Sequence, residues 1–152
     1  MPDSIAPNLP YCYSRRVQWG DADPALMAYT VRFLDFAMDA VDSWFRDVVG
    51  FDWYRMNTEH GMAAPAVHVS MDFREPLRPG DLLTLAVYVD HIGRSSLGLR
   101  FEGWLEGGTP VYAGKLVHTF VDRQSMRSTP IPALFREPIE RYAEACDARI
   151  EK

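Results

Sequence analysis

Apolar residues recur at helical spacing along one stretch of the chain, at Val31, Leu34, Met38, Val41, Phe45 and Val48. A second apolar set, Phe33, Phe36, Ala37, Ala40 and Trp44, runs beside it. Polar residues are confined to the track Asp35, Asp39, Asp42 and Arg46, so the pattern predicts a helix over Thr30 to Val49, buried over most of its circumference. Gly50 is placed to end it. Before it, Tyr13 to Trp19 reads as a strand. After Met62 the period becomes two. Val67, Val69, Met71 and Phe73 share one face, then Leu83, Leu85, Val87 and Val89, then Leu97, Leu99, Phe101 and Leu105. Val111 to Asp122 predicts a last long strand, and Ile139 to Ile150 a short terminal helix after Pro138.

Turn signals at Pro76 to Asp81, at Gly93 and at Glu106 to Pro110 join four consecutive strands, which predicts an antiparallel meander. A strand, one buried helix and an antiparallel sheet make an α+β domain in which the sheet curls around the helix. Such a sheet has open edges. Val67 to Phe73 or the final strand is expected to pair across a two-fold axis, giving a homodimer or homotetramer.

The chain has 152 residues, 47% of them hydrophobic, enough for one core and too short for two. The expected division is a flexible arm over 1–10, a domain over 11–137 and the terminal helix over 138–152. The arm holds three prolines and no apolar run behind a basic start, so it does not read as a signal peptide. No apolar run is long enough to span a bilayer. Cys12 and Cys146 lack a paired spacing, which suits free thiols in a reducing cytoplasm, the expected location, without a membrane partner. A net charge of −5 argues against nonspecific nucleic-acid binding. Within that acidic total, Arg94, Arg100, Arg123 and Arg127 fall in the strand-rich half, where arginine suits phosphate.

Trp19-Gly20-Asp21-Ala22-Asp23-Pro24 sets a carboxylate where a strand gives way to the long helix. On local chemistry Asp23 is a helix N-cap with Pro24 as first helical residue. Asp21 and Asp23, two apart on extended backbone, point in opposite directions, so only one should face a pocket. His60, His68, His91 and His118 show no metal-ligand spacing, and no metal site is expected. There is no glycine-rich phosphate loop, and Ser95-Ser96 lack the flanking glycines of a nucleophile elbow.

The order and spacing of Trp19 to Ala25, Leu77-Arg78-Pro79-Gly80-Asp81, Gly93-Arg94-Ser95-Ser96, Phe120-Val121-Asp122 and Pro130-Ile131-Pro132 resemble the 4-hydroxybenzoyl-CoA thioesterase branch of the hotdog-fold acyl-CoA thioesterases. The likeness covers roughly residues 13 to 137. It implies a hotdog fold, a five-stranded antiparallel sheet wrapped on a central helix, dimeric, with active sites between subunits. It also implies hydrolysis of an acyl-CoA thioester without a cofactor. Residue by residue, Asp23 matches the catalytic carboxylate, nucleophile or general base, and the backbone amide near Thr30 matches the oxyanion donor. Arg94, Ser95, Ser96, Arg123 and Arg127 match positions that contact the phosphates and nucleotide of CoA. Tyr29 keeps an aromatic where the aryl-CoA branch has one, which favours an aromatic or bulky acyl group.

Leu26 stands where similar proteins have Gly, and Met27, Ala28 and Tyr29 stand where many have His, Val and Asn. That departure leaves an alternative of a different class, a hotdog module that binds acyl-CoA or a partner protein without turnover. A hydratase is disfavoured, because no histidine lies between Asp23 and His60.

Overall fold

The computed structural model describes residues 9–150. Most of the expected N-terminal arm, and the last two residues, lie outside the described residues.

Strand β1 (Tyr11–Arg16) opens the fold and stops short of Trp19, because Trp19–Asp21 turns into a single 3-10 turn. Helix α1 (Thr30–Trp44) follows and continues into a π-helical turn, Phe45–Val49, which ends at Gly50 with φ 97°. That left-handed conformation is the reason for glycine there. The interior face of α1 takes Phe33, Phe36, Ala37, Ala40 and Trp44 of the second apolar set together with Val41 of the first, all buried, while Val31 is exposed. The predicted wrapping is therefore incomplete, because the sheet covers one side of the helix only.

Helix α2 (Trp53–His60) has no counterpart in the sequence reading, although Asp52 caps it by accepting from the Arg55 amide and Gly61 closes it with φ 60°. Strands β2 (Met62–Ala63), β3 (Ala66–Phe73), β4 (Leu82–Ile92), β5 (Ser96–Leu105), β6 (Pro110–Thr119) and β7 (Val121–Asp122) complete the β structure. The main sheet is five-stranded and antiparallel in the order β1-β4-β5-β6-β3, the hotdog arrangement of a sheet wrapped on a central helix.

Two expectations are corrected here. β3 does not begin a four-strand meander: it pairs with β6, on the far side of the sheet from β1. The run 111–122 is not one strand, because the chain leaves the sheet at Phe120 and β7 pairs with β2. The last long strand is thus interior, and β1 and β3 are the edges.

Leu83, Leu85, Val87, Leu97, Leu99, Phe101 and Leu116 face α1 and are fully buried, which is where the core sits. Each contributes roughly 1.5–3 kcal/mol relative to exposure. Helix α3 (Ala133–Ile150) begins five residues before Pro138, so this proline lies inside the helix and not ahead of it. Its buried residues Phe135, Ile139, Tyr142 and Cys146 follow one helical face. Tyr142 sits against Trp44, with ring centroids 5.5 Å apart. Its hydroxyl accepts from the Tyr11 amide and donates to the Val87 carbonyl, where β1 begins beside β4.

Candidate active site

Residues 17–30 carry the chain from β1 to α1 and are fastened to the segment before β4. The Val17 amide donates to Asp81 and the Gly80 amide to Val17, both at 2.8 Å, and the Ala28 amide donates to Leu77 at 2.7 Å. Between these points the chain makes a closed turn. Ala22 and Ala28 bridge antiparallel, the Asp23 amide donates to the Met27 carbonyl, and the Leu26 amide donates to the Asp23 carbonyl, each of the latter two at 2.9 Å.

Asp23 is half-buried in this turn, and its Oδ1 accepts from the Ala25 amide at 2.8 Å. This is an Asx turn, the same short-side-chain chemistry that makes aspartate an N-cap. The cap reading of Asp23 is overturned: α1 begins at Thr30, with Tyr29 as its cap residue. The physical reason is that Asp-Pro opens a tight turn as readily as a helix. One carboxylate oxygen of Asp23 is thus engaged by the Ala25 amide.

Leu26 has φ 62°, one of two left-handed non-glycine residues among those described. That conformation is the one glycine adopts freely, and Leu26 adopts it at a cost of roughly 1–2 kcal/mol. Its side chain points outward and is 61% exposed.

The cap residue Tyr29 makes no side-chain cap hydrogen bond. The first amides of any α-helix lack an intrahelical acceptor, so the start of α1 at Thr30 presents N–H groups and the positive end of the helix dipole. Seven residues separate Asp23 from Thr30, and the closed turn folds that separation back on itself. Tyr29 is exposed beside this helix start. One turn further on, Phe33 packs edge-on against Phe73 and Tyr112, each 5.0 Å away between ring centroids, and the Tyr112 hydroxyl donates to the Phe33 carbonyl at 2.8 Å. Burial pushes the Tyr112 phenol far above its ordinary range, so it stays a neutral donor. Phe73 remains 48% exposed.

Asp21 behaves differently from Asp23. It is buried, and its Oδ2 accepts from Arg15 at 2.9 Å and from the Gln18 amide at 2.8 Å. The two carboxylates have separate partners, Asp21 at the end of the 3-10 turn and Asp23 in the Asx turn that follows.

The arginines lie elsewhere. Arg94, Ser95 and Ser96 form the turn into β5, where the Phe120 amide donates to Ser95 and the Ile131 amide to Arg94. Arg123 and Arg127 flank an exposed turn after β7, closed by the Asp122 amide on Arg127. A depression of about 390 Å³ lined by Gly61, Asp122, Arg123 and Gln124 adjoins it. These residues gather at the end of the sheet where Ser96 pairs with Thr119, whereas Asp23 and Thr30 lie toward the end where Phe73 pairs with Tyr112. Seven residues of β6 between those ends span about 23 Å. One protomer therefore does not bring Asp23 together with the five candidate CoA contacts.

Sequence reasoning missed Arg15, whose partners could not be read from spacing, and His118, which is fully buried with Nδ1 donating to the Ala64 carbonyl at 2.8 Å. Among the described residues no group of three His, Cys, Asp or Glu side chains is gathered as a metal site would need.

Comparison with known proteins gives the same picture. Over 135 residues, 88% of this chain and 98% of the other, it is 21% identical to the 1,4-dihydroxy-2-naphthoyl-CoA hydrolase of Synechococcus elongatus. A thioesterase-superfamily crystal structure from Jannaschia sp. CCS1 superposes with a TM-score of 0.82 at 29% identity, covering 91% of this chain and 96% of that one. A 1,4-dihydroxy-2-naphthoyl-CoA thioesterase from Synechocystis shares the fold, with a TM-score of 0.79 at 22% identity over 85% of this chain and 94% of the other. The thioesterase-like superfamily profile matches residues 17–139, and the chain belongs to that superfamily.

Proposed function

We propose that the protein hydrolyses an acyl-CoA thioester, with Asp23 acting on the carbonyl and an amide at the Thr30 helix start holding the developing oxyanion. The observation that carries this is the closed turn. It holds one oxygen of the Asp23 carboxylate on the Ala25 amide, in the loop that leads into a helix start without a side-chain cap. The Synechococcus hydrolase and the Synechocystis thioesterase named above are named for a thioester of CoA, which supports the reaction class.

As general base, Asp23 takes a proton from water while the water oxygen bonds to the thioester carbon. The tetrahedral intermediate then collapses, the C–S bond breaks, and the proton passes to the leaving thiolate of CoA. As nucleophile, Asp23 bonds to the thioester carbon, the C–S bond breaks and CoA thiolate leaves; water then opens the acyl anhydride, freeing the acid and the Asp23 carboxylate, and a proton from that water passes to the thiolate. In either route one oxyanion donor is worth about 10²–10³ in rate.

The acyl group is aromatic or bulky, a reading supported by Tyr29 and by the Phe33, Phe73 and Tyr112 cluster beside the helix start. Arg94, Ser95, Ser96, Arg123 and Arg127 contact the CoA phosphates and nucleotide, and they come from a second subunit. Pairing of two β3 edges antiparallel across a two-fold axis carries the arginine end of one protomer to the Asp23 end of the other. It also covers Val67, 63% exposed, and Phe73 on an otherwise open edge.

The non-catalytic alternative drew on Leu26. Because Leu26 takes the left-handed conformation a glycine would take, the departure no longer argues for it.

The test is thiol release from aromatic, short-chain and long-chain acyl-CoAs by the native protein and by Asp23→Asn. Hydrolysis of an aromatic acyl-CoA that falls by about 10²–10⁴ in the variant is expected of a catalytic carboxylate. Equal turnover by both proteins would remove Asp23 from the mechanism, and binding of acyl-CoA without any thiol release would favour the module reading.

A further inference from the structure

Beneath the turn that carries Asp23 lies an ion pair that touches no reacting atom. Arg15, on β1, reaches Asp21 Oδ2 with Nη2 at 2.9 Å and Asp39 Oδ2 with Nη1 at 3.6 Å. Its guanidinium lies 4.3 Å from the ring centroid of the fully buried Phe36. Asp21 is 9% exposed. A carboxylate removed from water that far is held by its partners, so its place is set by Arg15 and the Gln18 amide.

The main chain of the same residue does something else. The Asp21 carbonyl accepts from the Tyr29 amide at 2.9 Å, and Tyr29 is the cap of α1. Asp21 thus grips the sheet with its side chain and the helix start with its backbone. Asp23 follows two residues later, inside the stretch that these two grips close off.

We propose that Asp21, held by Arg15, is a positioning residue that sets the distance between the Asp23 carboxylate and the N-terminal amides of α1. This rests on the reading of Asp23 as the reacting carboxylate. Asp39 gives the change a direction: with Asp21 neutralised, Arg15 keeps Asp39 as its one charged partner and the turn's tie to β1 is weakened to a neutral hydrogen bond. A reacting carboxylate displaced by about 1 Å costs on the order of 10²-fold in rate.

The experiment measures kcat and KM for thiol release from the best acyl-CoA of the panel, and hydrogen exchange at the Tyr29 amide by NMR. The proteins are the native form, Asp21→Asn, Arg15→Met, Arg15→Lys, Asp39→Asn and Asp23→Asn. Asp21→Asn and Arg15→Met are expected to lower kcat at least tenfold while KM stays within about twofold, and to speed Tyr29 exchange. Arg15→Lys, which keeps the charge, restores part of the loss, and Asp39→Asn leaves kcat near the native value. Should Asp21→Asn not fold, the Arg15→Met and Arg15→Lys pair carries the same comparison. Native kcat in folded Asp21→Asn, or native Tyr29 exchange, overturns the proposal. If Asp23→Asn itself keeps full activity, the catalytic reading fails separately, and Tyr29 exchange alone decides whether Asp21 clamps the turn.

Discussion

The Asp23 carboxylate and the Ala25 amide are joined by a hydrogen bond of 2.8 Å, so a side chain proposed for chemistry also shapes the turn that holds it. Asparagine keeps the accepting oxygen and alanine does not. Asp23→Asn is therefore expected to unfold in urea within about 0.5 kcal/mol of the native protein, whereas Asp23→Ala loses about 0.5–1.5 kcal/mol. The comparison separates loss of charge from loss of the turn.

Leu26→Gly relieves a left-handed residue and adds freedom to the unfolded chain. The two effects are roughly 1–2 kcal/mol and about 0.4–1 kcal/mol, with opposite sign. Thermal unfolding should show the variant as stable as the native protein or more so. A clear drop in Tm would show that the Leu26 side chain contributes packing.

Two glycines of the sheet should respond differently to alanine. A Cβ on Gly114 would lie 2.0 Å from the Ser70 carbonyl oxygen and 2.6 Å from Phe101 Cζ, both fixed by the sheet or core. A Cβ on Gly98 would lie 2.2 Å from His91 Nδ1, the end of an exposed side chain that can swing away. Gly114→Ala is expected to cost about 1–3 kcal/mol or more, and Gly98→Ala clearly less, by denaturant unfolding.

Burial holds the His118 imidazole below its ordinary pKa, opposed by the Ala64 carbonyl, which steadies the protonated form. The folded state therefore disfavours the proton that the unfolded chain takes up below about pH 6.5. Stability from this group is complete above that pH and is lost as pH falls through the folded-state value, by up to about 1.4 kcal/mol per pH unit. Urea midpoints measured from pH 7.5 to 5 should fall, and His118→Asn, which keeps a donor for Ala64, should flatten that fall.

A site shared between subunits has a kinetic signature. Asp23→Asn and Arg127→Ala homodimers, each impaired, should regain activity when unfolded together and refolded. A hybrid holds one intact site, so random pairing restores about a quarter of native turnover. No recovery in mixtures shown to contain hybrids would place both residues in one protomer's site.

The parts of the fold legible in the sequence were those written in a period. The buried side of α1 and the inward faces of β4 and β5 followed from which positions were apolar, and Gly50 marked the helix end. What periodicity does not encode is adjacency: nothing in Val67 to Phe73 says that its neighbour is β6 and not β4. Helix α2 was missed because only Met56 of it is buried, leaving no apolar stripe, though Asp52 and Gly61 were fair boundary signals. Pro138 reads as standing ahead of the terminal helix, yet α3 runs through it, since packing of Phe135 and Ile139 outweighs one missing amide. At the candidate site, the cap reading of Asp23 failed because caps and Asx turns use the same residue types. The arginines could be named but not assigned to an end of the sheet, which is a property of strand register.

The turn from Ala22 to Ala28 is closed by main-chain groups and one carboxylate, while the side chains of Pro24, Ala25 and Leu26 face outward. Its frame is main chain, so changes at 24–26 are tolerated where they keep the Asp-Pro bend and the left-handed conformation at 26, and the stretch offers a variable outer surface on a fixed backbone.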